Sequence, residues 1–209
     1  MQFLDFHHQL SAYPVFSLKD VRKVLPSCNR IQLDRWEKKG YLTKIRRGFY
    51  CFSDQKGDPN FLLYAASKLY APSYISLETA LKQYGLLPEE IFQVTSVSTK
   101  KMTHFETPIG NFRYRHMKPG LFWGYKIVES RPGNPGILLA EPEKAILDYL
   151  YVHPQLKTAH DFEGMRINVD EFRLHMNLET LQKYLDAFGQ KQLSKRVTVF
   201  LTTILHDIT

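Results

Sequence analysis

Asn29-Arg30-Ile31-Gln32-Leu33-Asp34-Arg35-Trp36-Glu37-Lys38-Lys39-Gly40-Tyr41-Leu42-Thr43-Lys44-Ile45-Arg46-Arg47-Gly48-Phe49-Tyr50-Cys51-Phe52 carries two hydrophobic periods in succession. From Arg30 to Lys39 the period is helical: at 100° per residue Leu33, Trp36 and Gly40 share one side, and Ile31, Asp34, Arg35 and Lys38 the other. Asn29 or Ser27 serves as the cap, and Gly40 stands just past the last turn, where a left-handed residue is wanted. Residues 41–46 and 49–52 are then β-branched and aromatic runs joined through Arg47-Gly48, which predicts a tight hairpin with Gly48 at positive φ.

Upstream, residues 17–25 read as a second helix, with Ser17 as cap, Asp20 three residues on, Leu18, Val21 and Leu25 on one face, and Pro26 as the stop. Residues 3–12 read as a short first helix. Three helices followed by a hairpin is the order of the winged helix-turn-helix, in which the third helix enters the major groove and the hairpin follows the backbone or the adjacent minor groove.

Charge supports that placement. The 209-residue chain has a formal net charge of +7, and residues 17–50 alone hold ten Lys and Arg against three acids, a surplus equal to the total. A compact basic element of this kind points to phosphates rather than to a generally soluble surface. The candidate DNA-binding residues are Asn29, Arg30, Gln32, Arg35 and Lys38 on the helix, with Lys44, Arg46 and Arg47 around the hairpin tip. Arg can bond guanine O6 and N7 together, Asn and Gln can do the same for adenine, and Lys mostly meets phosphate. Ile31 could touch a thymine methyl, but packing against the second helix is the expected role. The bland reading of the hairpin charges is a solvated edge that resists aggregation.

The polar run Ser53-Asp54-Gln55-Lys56-Gly57-Asp58-Pro59 marks a boundary between a first domain over residues 1–56 and a second over residues 57–209. In the second, helices are expected at 60–70, 76–84 (capped by Ser76 and stopped at Gly85), 143–152, 170–176, 178–188 and 191–206. Strands are expected at 91–97, 112–116, 122–128 and 137–140. The whole reads as α+β: an N-terminal winged helix-turn-helix, then a mixed α+β domain with a helical C-terminus. With 44% hydrophobic and 23% charged residues the composition is that of an ordinary globular protein. No basic start leads into an apolar run and no segment is long and apolar enough for a membrane span, so no membrane is implied and the cytoplasm is expected. Cys28 and Cys51 form no CxxC motif, which argues against a disulfide framework or structural zinc.

The N-terminal motifs Phe16-Ser17-Leu18, Arg35-Trp36-Glu37-Lys38-Lys39-Gly40-Tyr41-Leu42 and Arg46-Arg47-Gly48-Phe49-Tyr50 are followed by four blocks. These are Pro72-Ser73-Tyr74-Ile75-Ser76-Leu77-Glu78-Thr79-Ala80-Leu81, Tyr84-Gly85-Leu86-Leu87-Pro88-Glu89, Thr107-Pro108-Ile109-Gly110-Asn111-Phe112-Arg113-Tyr114-Arg115-His116 and Ala140-Glu141-Pro142-Glu143-Lys144-Ala145-Ile146-Leu147-Asp148. In these blocks and their order the chain resembles the AbiEi family of antitoxins, over about residues 16–151. The resemblance implies the antitoxin and autorepressor of a bacterial type IV toxin–antitoxin operon, with the winged helix bound to inverted repeats in its own promoter. It also implies a nucleotidyltransferase-like toxin as functional partner, whether or not the two bind directly.

Two other functions compete with a DNA-binding regulator. Glu141, Glu143 and Asp148 could hold magnesium in a nucleic-acid-processing enzyme. Their placement favours structure instead: Glu141 and Glu143 flank Pro142 at a helix start, and Asp148 lies four residues after Lys144 on one face. The histidines show no HExxH spacing, Ser73 and Ser76 lie in no GxSxG, and Gly133-Asn134-Pro135-Gly136 is a turn lacking the phosphate-loop pattern. No catalytic residue, metal or cofactor is therefore expected. Alternatively, the winged helix could serve as a protein-interaction module. Finally, Arg113, Arg115 and Lys118, with His116, form a second basic patch, in which Arg113 and Arg115 share one strand face; it could extend a DNA footprint, meet an acidic toxin surface, or simply be solvated.

Overall fold

Asn29 starts helix α3 (Arg30–Lys38) as a cap, its side-chain oxygen accepting the Gln32 N–H at 3.0 Å. Gly40 follows the last turn at φ +75°, so the chain leaves the helix in the left-handed conformation expected there. Leu33 and Trp36 are buried, and Trp36 packs on Phe6 and Phe3 of helix α1 (Phe3–Leu10) at 4.4 and 5.6 Å between ring centroids. Helix α2 (Leu18–Val24) opens with a full capping box: Ser17 Oγ accepts the Asp20 N–H, and the Asp20 carboxylate accepts the Ser17 N–H at 2.9 Å. Strand β1 (Val15–Ser17), too short to be predicted from the sequence, pairs with β3 (Phe49–Phe52), which pairs in turn with β2 (Leu42–Arg46). Gly48 closes the β2–β3 turn at φ +88°. The computed structural model describes residues 2–55, 59–88, 92–129 and 136–206. Linker residues Lys56, Gly57 and Asp58, the expected strand start at Ile91, and Gly133-Asn134-Pro135 of the expected turn lie outside them.

The rest is built on a mixed six-stranded sheet in the order β6-β7-β5-β4-β9-β8. Its strands are β4 (Ser73–Ile75), β5 (Gln93–Ser98), β6 (Thr103–Thr107), β7 (Gly110–His116), β8 (Tyr125–Val128) and β9 (Ile137–Ala140), of which β4 and β6 were not expected. Helix α4 (Pro59–Leu69) covers the face carrying Phe112 and Tyr114, the Tyr114 hydroxyl donating to the Ala66 carbonyl at 2.7 Å. Helices α5 (Leu77–Gln83) and α6 (Pro142–Val152) cover the other face, and α7 (Ala159–Glu163), α8 (Val169–His175), α9 (Leu178–Phe188) and α10 (Lys191–His206) complete the helical C-terminus. The fold is thus α+β, with a small helix and strand unit first, a larger mixed sheet next and helices last. Among the described residues no helix is long and apolar enough to cross a membrane.

Phe6, Phe16, Leu33, Trp36, Tyr50 and Phe52 centre one core inside the N-terminal unit. Alternate side chains of the same small sheet, Val15, Ile45 and Cys51, belong instead to the main core. The small sheet therefore has helices on one side and the rest of the protein on the other. Asp20 and Lys68 add an ion pair across the join at 3.5 Å.

Two sequence expectations about side chains are corrected. Ser76 precedes α5, but its hydroxyl makes no cap; it donates to Asp148 at 2.8 Å, and the Thr79 N–H in the first turn is taken by Thr95 Oγ1 at 3.1 Å. Ile31 does not pack on α2: it is 62% exposed.

Candidate nucleic-acid interface

Helix α3 sorts its side chains by period. Leu33 and Trp36 anchor it, which turns Arg30, Ile31, Arg35 and Lys38 to solvent. Asn29 is exposed but its oxygen is committed to the cap, and Gln32 is half-buried. Arg30 reaches Asp34 one turn on at 3.9 Å, a pair exposed enough to be worth a few tenths of a kcal/mol, about the usual value for such helix pairs. Arg35 and Lys38 lie on the same outward face, and Asp34 is the one acid between them and Arg30. The Tyr50 phenol sits under α3; burial raises its pKa first, with Asp34 and Glu37 adding to the rise and Arg30 opposing it.

The hairpin does not present its charges as one group. Strict alternation places Lys44 and Arg46 on the same face, but the pairing shifts from Lys44↔Tyr50 to Arg46↔Phe49, with Ile45 as the extra residue of a bulge. Lys44 consequently keeps the face of Tyr50, toward the helices. Arg46 takes the face of Phe49, toward the main core, and its guanidinium carbon lies 3.7 Å from the centroid of the Phe105 ring on β6. Arg47, in the turn, is exposed. Of the candidate cations, Arg30, Arg35, Lys38 and Arg47 are thus exposed, Lys44 is half-buried and Arg46 is turned toward the large sheet; Lys39, at the end of α3 and outside the candidate set, is exposed too.

Arg113 and Arg115 do share a strand face, opposite Phe112 and Tyr114, as alternation requires. That face is the one away from Phe105, since His104 pairs with Arg113 and Phe105 with Phe112. The second basic patch and Arg46 therefore lie on opposite faces of the large sheet. Arg115 is also partly committed, donating to the Val152 carbonyl at 3.1 Å, while Arg113 and Lys118 are exposed. Both arginines line an open groove of about 420 Å³ together with His104 and Glu106, so the groove is of mixed charge rather than cationic throughout.

The carboxylates weighed as metal ligands each have a protein partner. Asp148 is fully buried with Lys144 as its ion pair, and it accepts hydrogen bonds from the Tyr74 and Ser76 hydroxyls, both at 2.8 Å. Burial pushes the Asp148 carboxyl up and the Lys144 ammonium down, and their mutual attraction opposes both shifts. Glu143 accepts the Asn177 N–H at 2.7 Å, and Glu141 accepts the Tyr184 hydroxyl. The sequence placed Lys144 and Asp148 on one helix face; that this face is interior was not legible. Among the described residues no group of three or more His, Cys, Asp or Glu is arranged to hold a metal ion.

No family model matches the chain. Nor does any curated protein. Among solved structures, the chain is similar to the crystal structure of the RV2827C protein from Mycobacterium tuberculosis, with a TM-score of 0.58 and 14% identity over 96% of this chain and 77% of that one. At that identity the likeness is one of fold alone, and it spans the N-terminal unit and the large sheet together.

Proposed function

We propose that this protein is a DNA-binding antitoxin and autorepressor of a type IV toxin–antitoxin operon, acting in the cytoplasm, with residues 2–55 as a winged helix. What carries the DNA-binding part is the face of α3 opposite Leu33 and Trp36. It exposes Arg30, Arg35 and Lys38 on a helix anchored by Leu33 and Trp36, and Arg47 of the hairpin turn is exposed as well. The antitoxin part rests on the resemblance of the sequence blocks to AbiEi proteins, and it implies a nucleotidyltransferase-like toxin as functional partner. On this reading α3 enters the major groove, Arg47 and Lys44 meet phosphates, and Arg46 sets the hairpin's angle from behind.

Anisotropy titration on duplexes from the region upstream of the gene tests the proposal. Specific regulators bind at about 10⁻⁸ M or tighter at physiological salt. Arg35→Ala with Lys38→Ala is expected to weaken binding at least tenfold and to flatten the log–log salt dependence by about 0.9 for each phosphate that is no longer neutralised. Unchanged affinity in that double variant sinks the assigned surface. Co-expression with the product of the adjacent reading frame tests the antitoxin role separately, as rescue of growth.

A further inference from the structure

Three apolar side chains lie on α3, and only Ile31 is left out of the core: Leu33 is fully buried and Trp36 is 4% exposed, whereas Ile31 is 62% exposed. It stands in the first turn, flanked in sequence by Arg30 and Gln32, with Asp34, Arg35 and Lys38 three, four and seven residues on along the same face. Most of this aliphatic group is left in water rather than packed, and another protein docking on it would have to desolvate the surrounding guanidinium and ammonium groups. A DNA major groove asks for the opposite combination. Phosphates neutralise the cations, while the floor of the groove offers one apolar group, the C5 methyl of thymine. Isoleucine suits that contact, because β-branching holds it to one strongly preferred χ1 rotamer in a helix, so little side-chain freedom remains to be lost on docking.

We infer that Ile31 is a specificity-determining residue that reads a thymine methyl in the bound duplex. The inference rests on the proposal that α3 is the groove-binding helix, and it adds what no charge on that helix supplies: selection for T at one position of each half-site.

The experiment uses the full chain and a randomised duplex library. The duplexes retained by the wild-type protein are sequenced, and each thymine of the best one is replaced in turn by deoxyuridine, which removes only the methyl. The expected result is one position per half-site at which deoxyuridine weakens wild-type binding about fourfold, the worth of one buried methyl. Ile31→Ala is expected to bind the thymine duplex with a similar loss and to be indifferent to deoxyuridine there, with little change in melting temperature because most of the side chain is exposed. Wild-type binding that tolerates deoxyuridine at every position, or Ile31→Ala that remains as sensitive as the wild type, overturns the inference while leaving the DNA-binding reading intact. A library from which no duplex is retained overturns both.

Discussion

Removing the Lys144 ammonium leaves the Asp148 carboxylate fully buried, with Tyr74 and Ser76 still donating to it but without its counter-ion. Breaking such a pair from one side typically costs about 3–5 kcal/mol, because a charge taken out of water loses its compensation. Lys144→Met is therefore expected to lower the urea midpoint sharply. Lys144→Met combined with Asp148→Leu should recover part of that loss, since no unpaired charge is then left buried, while the Tyr74 and Ser76 hydroxyls still lose their acceptor. Equal destabilisation in the single and double variants would falsify the view that the penalty is electrostatic. Away from the core, the Asp161 carboxyl is held at about 2 by the backbone N–H groups of Lys157 and Thr158 and by the Thr158 hydroxyl. Its pKa is lowered in the folded chain, so the cap's contribution is complete above the ordinary carboxylate pKa and is lost as the pH falls toward 2. An NMR titration of the Asp161 carboxyl should find its midpoint near 2 and, in Thr158→Ala, a midpoint displaced upward but still below normal, because the two amides remain.

At the scale of elements, the bulge at Ile45 has the largest consequence. It sends Ile45 and Arg46 to the same side, where Ile45 enters the main core and Arg46 lies over Phe105. A cation over an aromatic ring is worth about 0.5–1 kcal/mol at an exposed site and more when desolvated. Phe105→Leu retains an apolar surface but removes the ring, so amide exchange in the β2–β3 hairpin is expected to speed up several-fold with little change in global stability. If the proposed function is right, duplex affinity falls in the same variant because the hairpin is no longer held at its angle, with no change in the charge inventory. Exchange rates identical to wild type count against the clamp. The Ser17 capping box makes a simpler case: Ser17→Ala removes the hydroxyl that accepts the Asp20 N–H, a loss of about 1 kcal/mol readable in denaturant.

Across the whole molecule, the small sheet belongs to two cores at once. Val15, Ile45 and Cys51 are at most 3% exposed and pack toward the large sheet and α4, and the Asp20–Lys68 pair crosses the same join. A fragment of residues 1–56 would turn these side chains to water, so it is expected to unfold at markedly lower denaturant than the full chain and to bind a hydrophobic dye. A fragment as stable as the parent would instead mean that the boundary at 53–59 separates independent domains. The same join fixes the geometry of the cationic surfaces: α3 and the turn at Arg47 lie with the N-terminal unit, while Arg113 lies on the far face of the large sheet from Phe105. If the proposed function is right, Arg113→Ala is accordingly expected to leave the salt slope unchanged for a short duplex that reaches only α3 and the hairpin.

Most of the local structure of the first fifty residues was legible in the sequence: three helices, the Ser17 cap, a cap for α3 at Ser27 or Asn29 that the structure resolves to Asn29, Gly40 and Gly48 at positive φ, and the outward set Arg35 and Lys38. Each depends on interactions within a few residues, where period, capping chemistry and backbone sterics act directly. Most of the later helices were legible for the same reason. The three-residue strands β1 and β4 were not, being too short to carry a period and formed by pairing with distant segments. Tertiary structure alone decided that Ser76 serves Asp148 rather than its own helix, and that Lys144 and Asp148 face inward. It also split Arg46 from Lys44, because a bulge changes side-chain parity only through the register of the partner strand, and the partner that claims Arg46 lies some sixty residues along the chain.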